Sequence, residues 1–238
     1  MAVLETVLEE LRARARPEQL EGMARYGMTV ENRLGVAVPE LRKLAKEVGK
    51  DHGLALGLWS TGIAEARILA SMVDVPREAD EAQMEDWVRA LNSWDVCDQT
   101  CMNLFDKHPL AWKKVVDWSK REEEFVKRAA FALLACLAWH DKAAEDEEFI
   151  ALLPVIREGA TDERPMVKKA VSWALRNIGK RNPRLHALVL EEAQGLQSLD
   201  SRAARWIAAD VRRDLGSEAT LRRIAGAGSR EQEARSGR

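Results

Sequence analysis

The sequence lacks long apolar runs. None of its 238 residues lies in a stretch approaching the ~18 uninterrupted apolar residues that a membrane-spanning helix needs. The first ten residues contain three glutamates, where a secretory signal would carry positive charge. These absences predict a cytoplasmic protein with no membrane partner.

Cysteine and histidine are scarce. The three cysteines, Cys97, Cys101 and Cys136, form no Cys-x-x-Cys pair, and a chain of this length does not need disulfide staples. We therefore expect reduced thiols, packed as small core residues. The four histidines are scattered along the chain, so we expect neither a metal site nor a cofactor.

Three familiar catalytic signatures are also missing. The chain has no phosphate-binding glycine loop, no Gly-x-Ser-x-Gly elbow and no His-Glu-x-x-His motif. These absences argue against most classes of enzyme that act on small molecules.

Helix-forming residues, in contrast, are abundant. The sequence contains 35 Ala and 27 Leu against 7 Ile and 6 Thr, which excludes an all-β fold. Apolar residues recur at intervals of three and four, which predicts amphipathic helices over 2–15, 18–26, 39–49, 51–59, 62–73, 79–91, 94–105, 109–119, 122–139, 145–158, 164–180, 183–195, 200–214 and 217–225. Pro154 falls inside one of these helices and should kink it or begin a new one.

Weak internal repeats run through the second half of the chain. The segment 126–129 resembles 167–170 at an offset of 41 residues, and 169–173 resembles 202–206 at an offset of 33. Helix pairs with a period of ~33 to 47 residues are typical of α-solenoids. We predict an all-α solenoid forming one domain over residues 1–225, followed by a disordered tail over 226–238, where apolar residues are nearly absent.

Charge is unevenly distributed. The net charge is −2, yet residues 161–238 carry 16 Lys and Arg against 10 Asp and Glu. The repeats place Arg128, Lys169 and Arg202 at the same register, which predicts a basic stripe on one face. The alternative is that surface helices simply carry Lys and Arg.

Tryptophan is the unusual aromatic, with eight residues against one Tyr and four Phe. Four of them fall at helical spacing among apolar neighbours and are expected in the core: Trp87, Trp112, Trp118 and Trp139. Trp94 follows Ser93, a natural N-cap, and Asp98 falls four residues later on the same helix face. Trp173 lies between Lys169 and Arg176 in a basic helix, a setting that suits a nucleic-acid sugar or base.

Five motifs in this order resemble the AlkD-type DNA alkylation repair proteins. The resemblance covers about residues 15–215 and rests on Met23-Ala24-Arg25-Tyr26, the segment 35–44, Ser93-Trp94-Asp95-Val96-Cys97-Asp98, Val126-Lys127-Arg128-Ala129-Ala130 and the segment 169–176. It implies a solenoid of HEAT-like repeats with a concave basic face. It also implies an enzyme that excises cationic alkylpurines such as 3-methyladenine and 7-methylguanine from duplex DNA without base flipping.

The resemblance also implies roles for single residues. Asp98 is similar to the catalytic aspartate, Trp94 and Trp173 to the aromatics that cradle the deoxyribose, and Arg128 to the arginine that holds its phosphate. We expect further DNA contacts from basic residues on the same helices: Lys127, Lys168, Lys169, Arg176, Arg202 and Arg205. The expected partner is duplex DNA containing alkylated bases, bound by a monomer.

Two departures from the family pattern leave alternatives open. Pro165-Met166 stands where many catalytic members have aromatic residues, and Ala37-Val38 is apolar where others are polar. The second hypothesis is therefore a non-catalytic solenoid that binds branched or distorted DNA. The third is a protein-interaction scaffold, since fold alone does not decide function.

Overall fold

The computed structural model describes residues 2–225 of the chain. Over this range the backbone forms helices and no strand, which confirms the predicted all-α class. The predicted disordered tail, 226–238, lies outside the described residues. The helices are α1 (Ala2–Ala13), α2 (Leu20–Arg25), α3 (Val38–Val48), α4 (His52–Ser60), α5 (Ala64–Val73), α6 (Glu81–Arg89), α7 (Trp94–Asn103), α8 (Ala111–Ser119), α9 (Glu124–His140), α10 (Asp146–Ile150), α11 (Leu153–Gly159), α12 (Pro165–Ile178), α13 (Pro183–Gln197), α14 (Arg202–Leu215) and α15 (218–225).

Helix boundaries agree with the sequence prediction to within a few residues. Short 3₁₀ turns precede α2 and follow α7, at Pro17–Gln19 and Phe105–Lys107. Pro154 lies in the first turn of α11 and separates that helix from α10. The expected effect of this proline is confirmed, because a residue without a backbone N–H is tolerated at a helix start and not inside a helix.

Contacts divide the chain into two compact units, Met1–Ala111 and Trp112–Arg238. In the first unit, α5 is the central helix and packs against α3, α4 and α7. Eight of its ten residues are buried, including the carboxyl-bearing Glu65. The prediction of one continuous repeat domain stays a prediction.

Three parallel helices organise the second unit. Helix α12 packs against both α9 and α14, while α11 and α13 contact α12. Contacts between α12 and α14 advance together, from Lys168 with Trp206 to Ser172 with Asp210, so these two helices run in the same direction. Helix α9 is apolar on all sides from Ala129 to Trp139 and is buried from Ala129 to Ala138.

Close packing inside this unit depends on a small residue at one position. A Cβ atom added to Gly159 of α11 would lie 2.1 Å from the Phe131 ring of α9. Only glycine leaves room there for the fully buried phenylalanine.

No helix described between residues 2 and 225 combines the length and the apolar character needed to cross a bilayer.

Candidate functional site

Helix α7 carries the first two predicted site residues. Trp94 is its first residue and Asp98 follows one turn later, so both side chains lie along one face. Both residues are half-buried, between the buried Cys97 and the open surface. The Trp94 indole Nε1 donates a hydrogen bond to the Tyr26 carbonyl oxygen at 3.1 Å. This bond fixes the ring relative to the segment that follows α2.

The neighbouring carboxylate, Asp95, is neutralised inside the protein. Arg33 donates from Nη1 to Asp95 Oδ2 at 2.7 Å and from Nη2 to Oδ1 at 2.9 Å. The two side chains are only 2% and 11% exposed, respectively. Ser93 occupies the N-cap position of α7, but its hydroxyl makes no capping bond to the helix and donates to Asp95 Oδ1 at 2.5 Å. Asp95 is therefore a structural residue.

The segment that Trp94 contacts is itself held in place. The buried carboxylate of Glu65 accepts hydrogen bonds from the backbone N–H groups of Leu34, Gly35 and Val36 at 2.9, 2.7 and 3.2 Å. Gly35 has φ +81, and a Cβ there would lie 2.2 Å from the Arg16 carbonyl oxygen. Sequence reasoning missed Glu65, because a lone glutamate in an apolar helix carries no distinguishing pattern.

The repeats predicted that Arg128 would lie on an exposed basic stripe. In the structure the residue is buried instead. The residue is 5% exposed, and its Nη1 donates to the Met166 carbonyl oxygen at 2.7 Å. It thus connects α9 to the first turn of α12. The accepting group is backbone, so the departure at Met166 does not affect this bond. Phosphate binding by Arg128 stays a prediction.

Trp173 lies on the partly open face of α12. It is half-buried, with exposed Lys169 one turn before it and half-buried Arg176 one turn after it. This is the arrangement that the basic helix predicted. Arg176 also lies 3.5 Å from Asp210 and 3.8 Å from Asp214, measured from Nε and Nη1 to the carboxylate oxygens. Its positive charge is therefore shared with α14.

Two other predicted DNA-binding lysines have partners within the second unit. Lys127 Nζ lies 3.6 Å from Asp162 Oδ2, and both side chains are largely buried. Asp162 accepts from Arg164 Nε at 2.9 Å, and this guanidinium holds the pKa of the Asp162 carboxyl below its usual value. Lys168 Nζ lies 5.2 Å from the centroid of the Trp206 ring, within cation–π distance.

Arg202 and Arg205 extend from the solvent face of α14. The Arg202 side chain is 87% exposed, and its Nε lies 3.8 Å from Glu163 Oε2. Arg205 Nη1 donates to the Leu199 carbonyl oxygen at 3.1 Å and lies 3.8 Å from Asp200. These loose contacts between exposed groups leave both arginines able to reach a ligand.

The tryptophans divide differently from expectation. Trp87 and Trp118 are core residues, and Trp112 is half-buried, with its Nε1 donating to Asp141 Oδ2 at 3.3 Å. Trp139, predicted in the core, is 50% exposed and has the Arg223 guanidinium 5.3 Å above its ring. Helical spacing correctly placed Trp139 on α9. The buried part of this helix ends at Ala138 and the helix itself ends at His140, so Trp139 lies beyond the core.

The cysteines are buried and unlinked by disulfides, as expected. Among residues 2–225, no group of three or more His, Cys, Asp or Glu side chains is arranged to hold a metal ion.

The structure thus brings predicted residues together in two places. In the first unit, Trp94 and Asp98 share a face of α7; in the second, Lys168, Lys169 and Trp173 share α12 beside Arg202 and Arg205 of α14. The joining of these two groups into one site, and the concave basic face, stay predictions. The fold and the site residues together define a class of protein. It is an all-helical repeat protein with a tryptophan–carboxylate pair, Trp94 and Asp98, and with exposed basic side chains.

Residues 7–212 match the family model described as DNA alkylation repair enzyme. The chain therefore belongs to the DNA alkylation repair enzyme family, as its motifs predicted.

Comparison with solved structures gives the fold. One structure is described as "A new family of proteins related to the HEAT-like repeat DNA glycosylases with affinity for branched DNA structures". It superposes with a TM-score of 0.73 and 18% identity, over 88% of this chain and 94% of that chain. This similarity confirms the HEAT-like repeat fold.

A designed armadillo repeat protein in complex with a peptide also matches, at a TM-score of 0.37 and 17% identity, over 79% of this chain and 80% of that chain. A search of curated proteins returns no match.

Proposed function

We propose that this protein is a DNA glycosylase that excises positively charged alkylated purines, such as 3-methyladenine and 7-methylguanine, from duplex DNA without base flipping. Its family membership supports a role in alkylation repair. The observation that carries the proposal is the position of Asp98, which is half-buried one turn after Trp94 on the partly open face of α7.

The chemistry asks little of the protein beyond electrostatics. Alkylation gives the purine a formal positive charge, so the electron pair of the glycosidic C1′–N bond moves to the base, which leaves neutral. The sugar becomes an oxocarbenium-like cation, and a water oxygen then bonds to C1′ and loses its proton to solvent. A carboxylate stabilises that cation and positions the water, and no general acid is required.

Asp98 and Trp94 divide this task. The Asp98 carboxylate faces the developing charge, and the Trp94 indole lies against the deoxyribose, where its π-face attracts a cation. The Trp94 N–H is already used by the Tyr26 carbonyl. Its aromatic surface is therefore the part of the side chain that remains for the sugar.

We expect Asp98→Asn to reduce excision of 7-methylguanine by roughly 10²- to 10³-fold, the loss typical of deleting one stabilising group. The substitution keeps the shape of the side chain and removes its charge. Binding to undamaged duplex DNA should be unchanged or tighter, because a negative charge facing phosphates is gone. Release of methylated base from methylated duplex DNA, followed by chromatography, measures the effect.

Asp86→Asn is the matched control. This carboxylate is exposed on α6 in the same unit, where it pairs with Arg89, and its loss should leave excision unchanged. Equal excision by Asp98→Asn and the unmodified protein would contradict the assignment of Asp98.

The second candidate is a non-catalytic protein that binds branched or distorted DNA. The described affinity of the structural relative for branched DNA favours it, as does the Pro165-Met166 departure on α12. Absence of excision by the unmodified protein on every cationic alkylpurine, with binding to a four-way junction retained, would replace the first proposal with this one.

A further inference from the structure

Trp206 is exposed in a setting that packing does not explain. It is 39% exposed on α14, although tryptophan is among the costliest side chains to leave in water. The ammonium group of Lys168 lies 5.2 Å from its ring centroid. The predicted site did not include Trp206.

The residues around Trp206 form a stripe along one helix face. Arg202, Trp206, Ala209 and Arg213 occupy positions i, i+4, i+7 and i+11 of α14, and all four are exposed. The cations at the two ends are about 16 Å apart along the helix axis. This distance is several times the axial spacing between neighbouring phosphates of one DNA strand, which is roughly 3.4 Å.

The two arginine side chains of the stripe remain largely exposed. The Arg202 side chain is 87% exposed and reaches Glu163 only at 3.8 Å. Arg213 pairs with Asp210, whose other oxygen accepts from the Ser172 hydroxyl, and its own side chain remains 75% exposed. An aromatic surface between two exposed arginines matches a nucleic-acid strand, with a base on the ring and phosphates on the cations.

We propose that the α14 stripe, formed by Arg202, Trp206, Ala209 and Arg213, binds an unpaired nucleotide segment by stacking a base on the Trp206 indole. The proposal rests on the DNA binding proposed above, but not on glycosylase activity. A base inside a duplex already stacks on its neighbours, so the indole distinguishes single strands from duplex. Lys168 supplies a further positive charge beside the stacked base.

The experiment compares Trp206→Ala with the unmodified protein by fluorescence anisotropy. The probes are a labelled oligothymidylate of ~12 nucleotides, a blunt duplex, and the same duplex carrying a single-stranded oligothymidylate tail. We expect affinity for the oligothymidylate and the tailed duplex to fall by about 5- to 100-fold. Affinity for the blunt duplex should change less than about twofold, since phosphate contacts alone remain.

Trp139→Ala is the matched control, because this tryptophan is also exposed with an arginine above its ring but belongs to α9 and not to the stripe. It should leave all three affinities unchanged. Trp206→Phe should retain most of the single-strand affinity, which separates lost stacking from altered folding.

Several results would overturn the proposal. Trp206→Ala could weaken binding to the blunt and tailed duplexes equally, or weaken binding to neither. The unmodified protein could also bind duplex but not oligothymidylate. Failure of the unmodified protein to bind any of the three probes would contradict DNA binding itself, and the stripe proposal with it. If the unmodified protein binds the tailed duplex but excises no alkylated base, only the proposed glycosylase activity is contradicted.

Discussion

At the scale of single residues, burial separates tryptophans that the sequence presents as alike. Trp118 has no exposed surface, Trp94 uses its N–H to anchor a loop, and Trp206 is open to solvent with a lysine beside it. An indole has a large apolar surface and one polar atom, so each of these uses is chemically available to it. The neighbours in space decide which use is realised.

Trp173 provides the test at this scale. We expect Trp173→Ala to reduce DNA binding or excision while lowering the melting temperature little, because the residue is only half-buried on α12. Truncation of the fully buried Trp118 should instead cost ~3 to 5 kcal/mol. Thermal unfolding and duplex binding of both variants measure the difference. If Trp173→Ala is as destabilising as Trp118→Ala, the residue belongs to the core.

At the scale of elements, the start of α7 is positioned by a buried polar network. Arg33 Nε donates to the Thr29 carbonyl at 2.7 Å, and the same guanidinium holds Asp95. The Thr29 hydroxyl donates to the Asn92 carbonyl at 2.7 Å, just before the helix. The loop before α3 and the helix that carries Asp98 are therefore fixed together.

Breaking this network should cost stability before it affects chemistry. Asp95→Ala leaves the Arg33 guanidinium buried without its counter-ion, and we expect a loss of about 3 to 5 kcal/mol in the free energy of unfolding. Adding Arg33→Met should recover part of that loss, because no unpaired charge then remains. Urea denaturation of the single and double variants measures both effects. A single variant as stable as the unmodified protein would show that the pair is not structural.

The exposed pair Glu21 and Arg25 on α2 provides the comparison. Glu21→Ala should change the urea midpoint little, since exposed ion pairs are screened by solvent.

At the scale of the whole molecule, basic residues are divided between structure and surface. Arg128 and Arg181 donate to backbone carbonyls, and burial lowers the pKa of the Arg181 guanidinium. Lys169, Arg202 and Arg205 remain exposed. The excess of 16 basic over 10 acidic residues in 161–238 therefore overstates the charge that is free to meet a polyanion.

The salt dependence of duplex binding measures how many basic side chains contact phosphates. Each phosphate contact contributes about −0.9 to the log–log slope, so the three exposed residues alone predict a slope near −2.7. Arg202→Ala and Arg205→Ala should each make the slope shallower by about 0.9. Titration of one duplex at several salt concentrations gives the slope, and a flat response would eliminate the basic surface as the binding site.

Much of this protein follows from the sequence alone. The helical class, the helix boundaries and the break at Pro154 were predictable, because helix propensity, proline chemistry and the spacing of apolar residues act over one or two turns. The family was predicted from the resemblance of five motifs in order. The placement of Trp94 and Asp98 on one face followed from the same local geometry. Whether Asp98 is catalytic stays a prediction.

Tertiary structure decided what local rules do not reach. Asp95 and Asp98 have the same side chain, yet Arg33, 62 residues away in sequence, pairs with Asp95 inside the protein, while Asp98 is half-buried on the partly open face. The repeats placed Arg128 and Arg202 in one register, yet one is 5% exposed and the other has an 87% exposed side chain. The physical reason is that burial and pairing depend on which helices pack together, and distant parts of the chain determine that packing.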